Sequence, residues 1–414
     1  MKTRSKKMTN SQMEAALRKR LLIILYFGFV SLGLPDTVLG VAWPKMRLTF
    51  EAPLEMAGLL ISLTTILSVF SSLSTGWLMK RWNAGKILTI CAFTTALAML
   101  GYGLAPSAAV VAGFTILFGL GQGAVDTAVN SFMSRHYSSR QMNWIHGCWG
   151  VGATGGPLVF TAVFALGLSW RAGYLTIFVI QMALGLFFLT TLKLWPNDRE
   201  ADAAKDIRNG QVKPASNKAS AGKKSWLGAA SGVAFYVFYP GVEVVTGLWG
   251  ASYLVEVLNC EASTAGAAVA MYWASLTAGR FLVGFVADKF ENAAIMRGGL
   301  AVASIGIAII FFTASPAFFF AALAFIGLGL SPLYPTMMHE TPQRAGAERL
   351  ELVTGFQVGA ALAGTAVVPA LTGFLARHLS LEVLPWVLMV FAAMLILTHE
   401  VSARASRQRM TKPR

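Results

Sequence analysis

Residues 76–82 read GWLMKRW, and residues 284–290 read GFVADKF. Gly76 falls on Gly284 and Arg81 on Lys289, at an offset of 208 residues. The same offset, without a gap, lays FGLG (118–121) over IGLG (326–329) and Gly156 over Gly364. One such match among 40 glycines carries little weight, but three at a single shift indicate an internal duplication.

The duplicated unit is apolar. Of 414 residues, 55% are hydrophobic and 13% charged, where soluble domains carry about a quarter charged. The apolar residues come in blocks of about 20, the length a helix needs to cross a hydrocarbon core of ~30 Å. Without alternation, such blocks are helices and not barrel strands. Twelve spans are expected, at 21–44, 56–79, 87–104, 108–133, 142–166, 174–192, 226–254, 262–286, 298–312, 317–338, 353–374 and 384–398. The sequence therefore predicts an all-α membrane protein of twelve transmembrane helices in two six-helix halves related by pseudo-symmetry. The expected division is an N-terminal tail (1–20), a first half (21–195), a polar linker (196–224), a second half (225–400) and a C-terminal tail (401–414).

The net charge of +15 invites a nucleic-acid reading, which its placement excludes. Of 34 Lys and Arg, 29 fall on the side of the termini and the linker. Lys45, Arg47, Arg171 and Arg377 fall opposite, and Arg280 lies within a span. That asymmetry is the positive-inside pattern and predicts cytoplasmic termini, with the basic excess facing anionic lipid. Cys91, Cys148 and Cys260 show no paired spacing, so no disulfide frame or zinc site is expected. The first apolar run is too long for a signal peptide. No Asn-x-Ser/Thr acceptor occurs, which fits a bacterial inner membrane. No phosphate loop, metal cluster or Ser/His/Asp spacing suggests an enzyme, and no cofactor is expected.

Polar groups inside the spans are costly, about 2.5–3.5 kcal/mol for a charge at mid-bilayer, and mark cavities or partners. Gln122, Asp126 and Asn130 repeat every four residues and form one stripe on the fourth span. Asn143, His146 and Gly150 share a face of the fifth, and Asp36, Gly40 and Trp43 a face of the first, just after Pro35. Tyr236, Tyr239 and Glu243 lie on the seventh span, Tyr272, Trp273 and Arg280 on the eighth, Tyr334 on the tenth and Gln357 on the eleventh. Gln122, Asn143 and Gln357 could equally be interhelical glue. His146 could be structural, Arg280 could pair with a carboxylate near the inner gate, and Tyr272 and Trp273 could be packing. The glycines between 119 and 156 suit close helix approach. Asp36 and Asp126 resist such readings, because only His146 could serve as a cationic partner within the first-half spans. An acid isolated in an apolar helix can take up a proton on one side and release it on the other.

These features carry a resemblance. Six plus six helices with G-x-x-x-D-[RK] after the second and eighth resemble the major facilitator superfamily. Gly284, Asp288 and Lys289 match the motif, while Lys80 stands where the family has Asp, between Gly76 and Arg81. The resemblance implies a gating role for Gly76, Arg81, Gly284, Asp288, Lys289 and Arg280. DTAVN (126–130), NWIHGCWGVGATGGP (143–157), GVEVVTGLWGASYL (241–254), YWASLTAGR (272–280) and SPLYP (331–335) resemble the fucose–galactose–glucose:proton symporters. In that family the acids of helices 1 and 4 serve proton coupling and sugar binding, which implies those roles for Asp36 and Asp126. Some members carry Asn before the first acid, where this chain has Pro35. Solute contacts are expected from Gln122, Asn130, Asn143, His146, Tyr239, Glu243, Trp273, Tyr334 and Gln357. The expected partners are a small polar solute such as a sugar, protons and membrane lipids, with the chain acting as a monomer.

A proton-coupled drug exporter is the alternative. Such exporters carry G-x-x-x-G-P-x-x-G-G in helix 5. Residues 152–157 supply the first half of that motif, but Phe160 and Thr161 replace the final glycines. A sensor retaining the fold without transport is a third class.

Overall fold

The computed structural model describes residues 10–137, 139–196, 223–286, 289–312, 315–341 and 350–410. Among these are fourteen α-helices, no strand, and two short 3-10 turns. In chain order the helices are α1 (Asn10–Asp36), α2 (Val38–Phe50), α3 (Met56–Met79), α4 (Ala84–Leu104), α5 (Ala108–His136), α6 (Ser139–Ala165) and α7 (Trp170–Thr191). They continue as α8 (Lys223–Glu256), α9 (Ala262–Val286), α10 (Asn292–Phe312), α11 (Pro316–Leu330), α12 (Leu333–His339), α13 (Leu350–His378) and α14 (Leu384–Met410). Twelve segments are long and apolar enough to cross a bilayer, with α1–α2 and α11–α12 each forming one broken crossing. The expected linker falls almost wholly outside the described residues, as does Asp288.

Large apolar side chains such as Leu73, Phe285 and Phe312 stand exposed on the outer faces of the helices, as lipid contact allows and water does not. Cohesion between helices then falls to close packing and hydrogen bonds. Glycines set the approach. A Cβ on Gly33 would lie 2.1 Å from the Trp149 carbonyl oxygen, and one on Gly152 2.2 Å from that of Val30. A Cβ on Gly123 would lie 2.0 Å from the Ser68 carbonyl oxygen. So α1 rides on α6, and α5 on α3, with backbone against backbone. Many buried hydroxyls bond to the carbonyl one turn earlier, as Thr64 does to Leu60 and Thr115 to Val111, both at 2.9 Å.

The first crossing runs over Ala16–Phe50, about 50 Å at helical rise, and is longer than the expected 21–44. It is interrupted at Thr37, and the local chemistry explains how the interruption is tolerated. Pro35 has no N–H, so the Ser31 carbonyl loses its helical partner. Gln181 Nε2 of α7 donates to that oxygen at 2.6 Å, and the Ser31 hydroxyl donates back to Gln181 Oε1 at 2.5 Å. Pro157 likewise frees the Ala153 carbonyl of α6, and the Thr37 hydroxyl donates to it at 2.7 Å. Two proline defects in apolar helices are thus each answered by a side chain from a neighbour. Gln181→Leu should leave the Ser31 groups unpaired and cost about 1–3 kcal/mol, read as a lowered unfolding temperature of the detergent-solubilised protein.

Within the first six crossings, α1 packs on α6, α3 on α5 and α4 on α7; within the last six, α8 packs on α13 and α14, and α11 on α9 and α10. Across the two sets, α6 meets α9, α3 meets α13 and α2 meets α8. The duplication is visible in these contacts. Gly58 of α3 presses on Pro369 and Ala370 of α13, and Gly266 of α9, 208 residues on, presses on Thr161 of α6.

The two ends of the bundle differ. On the face opposite the N-terminus, α2 and α8 touch where a Cβ on Gly40 would lie 2.4 Å from the Gly247 oxygen. Trp249 Nε1 donates to the Pro369 oxygen at 3.1 Å, Arg47 pairs bidentately with Glu256 at 2.8 and 2.9 Å, and Arg377 pairs with Glu55. On the N-terminal face, Gly76, Gly284, Gly355 and Gly359 have nothing within 4 Å of a Cβ position. Among the described residues the halves press together backbone against backbone on the far face, while these four glycines of the N-terminal face border open space.

Candidate functional site

The polar stripe of α5 points into the space between the halves. Asp126 is exposed although it stands mid-crossing, and its charged and phenolic neighbours include Asp36 of α1 and Tyr334 of α12. Exposure beside inward-facing groups from both halves places it on an internal gap and not on lipid. Asn130 Nδ2 donates to Asp126 Oδ1 at 2.9 Å, one turn along the same helix. Gln122 Nε2, one turn the other way, donates to Asp36 Oδ1 at 2.8 Å. Among the described residues no Lys, Arg or His forms an ion pair with either acid. Amides hold both carboxylates without neutralising them.

The facing wall belongs to the second half. Glu243 Oε1 accepts the Tyr239 hydroxyl at 2.9 Å and Arg280 Nη2 at 3.2 Å, while the Tyr272 hydroxyl donates to the Glu243 backbone oxygen at 2.9 Å. Arg280 thus pairs with the acid of the neighbouring crossing. Tyr334 follows the break between α11 and α12, where SPLYP interrupts the tenth crossing. Its ring meets those of Tyr236 and Tyr239 edge-on at 4.8 and 5.5 Å, and its backbone oxygen takes the Tyr236 hydroxyl at 2.7 Å. The indole N–H of Trp273 and the amide oxygen of Asn130 are buried without a protein partner. One donor and one acceptor are therefore unsatisfied within this lining. Buried polar groups rarely go unpaired, and a hydroxylated solute or water supplies what they lack.

The structure brings together Asp36, Gln122, Asp126, Asn130, Tyr239, Glu243, Trp273, Arg280 and Tyr334. His146 is exposed on α6, edge-on to Phe29 at 5.3 Å, with Arg280 among its charged neighbours. The backbone of Asn143 is helical in α6, and its side chain lies outside the described residues. Gln357 does not join the group. It is buried beside Gly232 and accepts the Thr341 hydroxyl at 2.9 Å, as interhelical glue would. Trp43 also turns away, donating to the Leu54 oxygen at 3.1 Å in the far-face seal. Of the motif residues, Gly76 and Gly284 border open space, Arg81 stacks over Trp77 at 4.0 Å, and Lys289 is exposed in a turn.

Sequence reasoning passed over Trp149. Its ring meets Trp273 edge-on at 5.8 Å and lies 5.7 Å from the Arg280 guanidinium carbon, and Asp36 is among the polar neighbours of the indole. The signal was an indole N–H set among Gly147, Gly150 and Gly152 in an apolar span, where it needs an acceptor.

The pattern of the Major Facilitator Superfamily matches residues 25–356 and again 233–409. The "Bypass of stop codon protein 6" of Saccharomyces cerevisiae is 25% identical over 405 residues, covering 89% of this chain and 79% of that protein. An uncharacterised MFS-type transporter of Yersinia pestis is 22% identical, covering 97% and 99%. The cis,cis-muconate transport protein of Acinetobacter baylyi is 24% identical, covering 86% and 87%. A bacterial homologue of the human lysosomal transporter Spinster, inward-facing and occupied, superposes with a TM-score of 0.72 at 17% identity, covering 94% of this chain and 97% of that one. A peptide transporter does so with 0.73 at 13%, covering 94% and 95%. Twelve crossings, the paired contacts of the two repeats and a match spanning most of the chain lead to one assignment: this multi-pass membrane protein belongs to the major facilitator superfamily.

Proposed function

We propose that this transporter is a proton-coupled symporter of a sugar or a related small polar solute, working by alternating access as a monomer. The observation that carries the reading is the pair Asp36 and Asp126, held by amides on a gap reached from the N-terminal face. Carboxylates and amides suit hydroxyl groups, and the rings of Trp273, Tyr239 and Tyr334 suit the apolar face of a pyranose. A site built on such hydrogen bonds rejects analogues lacking the matching hydroxyl. With cytoplasmic termini in a bacterial inner membrane, the open side is the cytoplasmic one. The six-helix halves, 21–195 and 225–400 joined by 196–224, then rock about the midplane. The motif residues Gly76, Arg81, Gly284, Asp288 and Lys289 meet when that side closes.

The test begins with a thermal-shift screen of the purified protein against hexoses, deoxyhexoses, cis,cis-muconate and cationic drugs. A ligand at 100 times its Kd adds about 2.7 kcal/mol to apparent stability. A hexose or deoxyhexose hit supports the reading, and hits confined to cationic drugs reject it. With the hit in hand, Glu243→Gln is expected to weaken binding about tenfold, or ~1.4 kcal/mol, because it removes the charge opposing Arg280. Unchanged affinity by calorimetry would take Glu243 out of the site.

A further inference from the structure

We infer that the far face of the first half carries a binding site for a phosphate group, that of an anionic phospholipid in the leaflet opposite the N-terminus, between α2 and the start of α7. The site is separate from the gap between the halves and does not depend on the solute carried.

Basic residues on the far face are the exception in this chain: Lys45, Arg47, Arg171 and Arg377 among 34 Lys and Arg. Two of them have partners across the halves, Arg47 with Glu256 and Arg377 with Glu55. Among the described residues Lys45 and Arg171 pair with no carboxylate. Both line one cavity of about 440 Å³, together with Thr49, Ser169 and Trp170. Glu51, the acid nearest Lys45 in the chain, is exposed beyond the end of α2 and pairs with neither cation.

The two cations are held by contacts that leave their charge uncompensated. Lys45 Nζ lies 4.6 Å from the centre of the Phe164 ring, and the Arg171 guanidinium carbon 4.5 Å from that of Trp170. Arg171 Nη1 donates to the Gly103 and Ala105 oxygens at 3.3 and 2.6 Å, at the end of α4. Trp170 Nε1 donates to the Thr49 hydroxyl at 3.0 Å and ties α7 to α2. The walls of the cavity are therefore preformed. Ser169 precedes the first turn of α7, and its hydroxyl caps no N–H. The positive end of that 22-residue helix adds to the field of the two cations.

An ammonium and a guanidinium side by side suit an anion with several acceptor oxygens, and phosphate above all. The rim fixes the carrier of that phosphate. Leu48 and Leu168 line the cavity and stand exposed, as does Leu166 beside them. Acyl chains can cover such side chains at no cost, where water cannot. A phospholipid answers both the charge and the rim, and free phosphate answers only the charge. With no carboxylate paired at the site, phosphatidylglycerol fits it better than a headgroup that carries its own cation. The bound lipid would pin α2, the outer segment of the broken first crossing, to α7.

The test titrates dioctanoyl phosphatidylglycerol into the full-length protein, delipidated in a neutral maltoside detergent. Lipid adducts are counted by native mass spectrometry, and the unfolding temperature is followed in parallel. Phosphatidylglycerol should bind saturably and raise the unfolding temperature. Dioctanoyl phosphatidylcholine and inorganic phosphate should each bind more weakly, by about fivefold or more. Lys45→Gln should weaken phosphatidylglycerol about fivefold, the effect of one interfacial cation on an anionic lipid. Lys45→Arg should keep the affinity, and Lys86→Gln, an exposed charge on the N-terminal face, should leave it unchanged. Equal binding of phosphatidylglycerol by Lys45→Gln and the unaltered protein would overturn the site. Phosphatidylcholine bound as tightly as phosphatidylglycerol would overturn it as well. Inorganic phosphate bound as tightly, and lost in Lys45→Gln, would make this a free-anion site and overturn the lipid. Each of these results leaves the proton-coupled reading standing.

Discussion

Asp126→Asn is expected to abolish accumulation while leaving solute exchange across the membrane in place. Asparagine keeps the shape of the side chain and can still accept from Asn130, whose amide lies 2.9 Å from the carboxylate in the native protein. What disappears is the ability to carry a proton. One proton moving down 100 mV supplies about 2.3 kcal/mol, and one pH unit adds about 1.4 kcal/mol. Together they sustain a gradient of several hundredfold, at about 1.4 kcal/mol for each factor of ten. The variant should therefore equilibrate labelled solute to a ratio near one, where the native protein is expected to concentrate it. Counterflow in the same vesicles should continue, because the amides and rings proposed to hold the solute remain. Concentrative uptake at the native level in Asp126→Asn would defeat the assignment.

The second large effect concerns the closed face. Gly58 meets the α13 backbone so tightly that a Cβ would lie 2.4 Å from Ala370 Cα and 2.7 Å from the Pro369 oxygen. Those atoms belong to a helix backbone, which cannot yield as the end of a side chain can. Gly58→Leu therefore cannot close this face as the structure shows it. Overpacking costs about 1–3 kcal/mol or more, enough to move a two-state balance by roughly ten- to a hundredfold. The expected result is a transporter held open on the far face, with turnover falling by a similar factor. Cysteine alkylation at positions lining the gap, with a reagent confined to the far side, should become fast. Gly266 offers a control, because its close contacts include the Thr161 hydroxyl at 2.8 Å and a Val41 methyl at 3.0 Å, which can turn aside. Gly266→Ala should be the milder variant. Slow alkylation of Gly58→Leu from the far side would mean that α3 and α13 part without opening the gap.

The ion pairs on the same face contribute less. Arg47 and Glu256 keep about a quarter of their side-chain surface in water, and exposed pairs are worth about 0–1 kcal/mol. Backbone packing at Gly40 and Gly58 holds the seal, and the charges fix its alignment.

How much of this was legible beforehand follows from the physics of apolar helices. Apolar runs long enough to cross a bilayer announce the crossings, and a shift of 208 residues announced the repeat, because both are one-dimensional signals. The stripe Gln122, Asp126, Asn130 was legible for the same reason, as was the oddity of Asp36 beside Pro35. Helix ends were not, since α1 and α14 run past the apolar stretch as ordinary helices, with residues such as Arg18 and Arg404 beyond it. Nor could the facing of a lone polar residue be read in a helix that is apolar on every side. Gln357 and Trp149 show this. They stand 208 residues apart, at equivalent positions of the two halves, yet Gln357 bonds to Thr341 of its own half while Trp149 meets Trp273 and Arg280 of the other. The partners of Pro35 and Pro157 were equally hidden, because the side chains that answer them come from helices far away in sequence.

The proposed coupling depends on two amide-held acids taking up and releasing protons as solute passes between the halves. The most direct measurement uses proteoliposomes loaded with a pH-sensitive dye, given the solute found by the thermal-shift screen on the outside and no imposed proton gradient. Inward solute flow is expected to acidify the lumen with the native protein, and Asp126→Asn to carry solute without the acid signal. A native protein that moves solute with no change in lumen pH, or an Asp126→Asn protein that acidifies at the native proton-to-solute ratio, would contradict it.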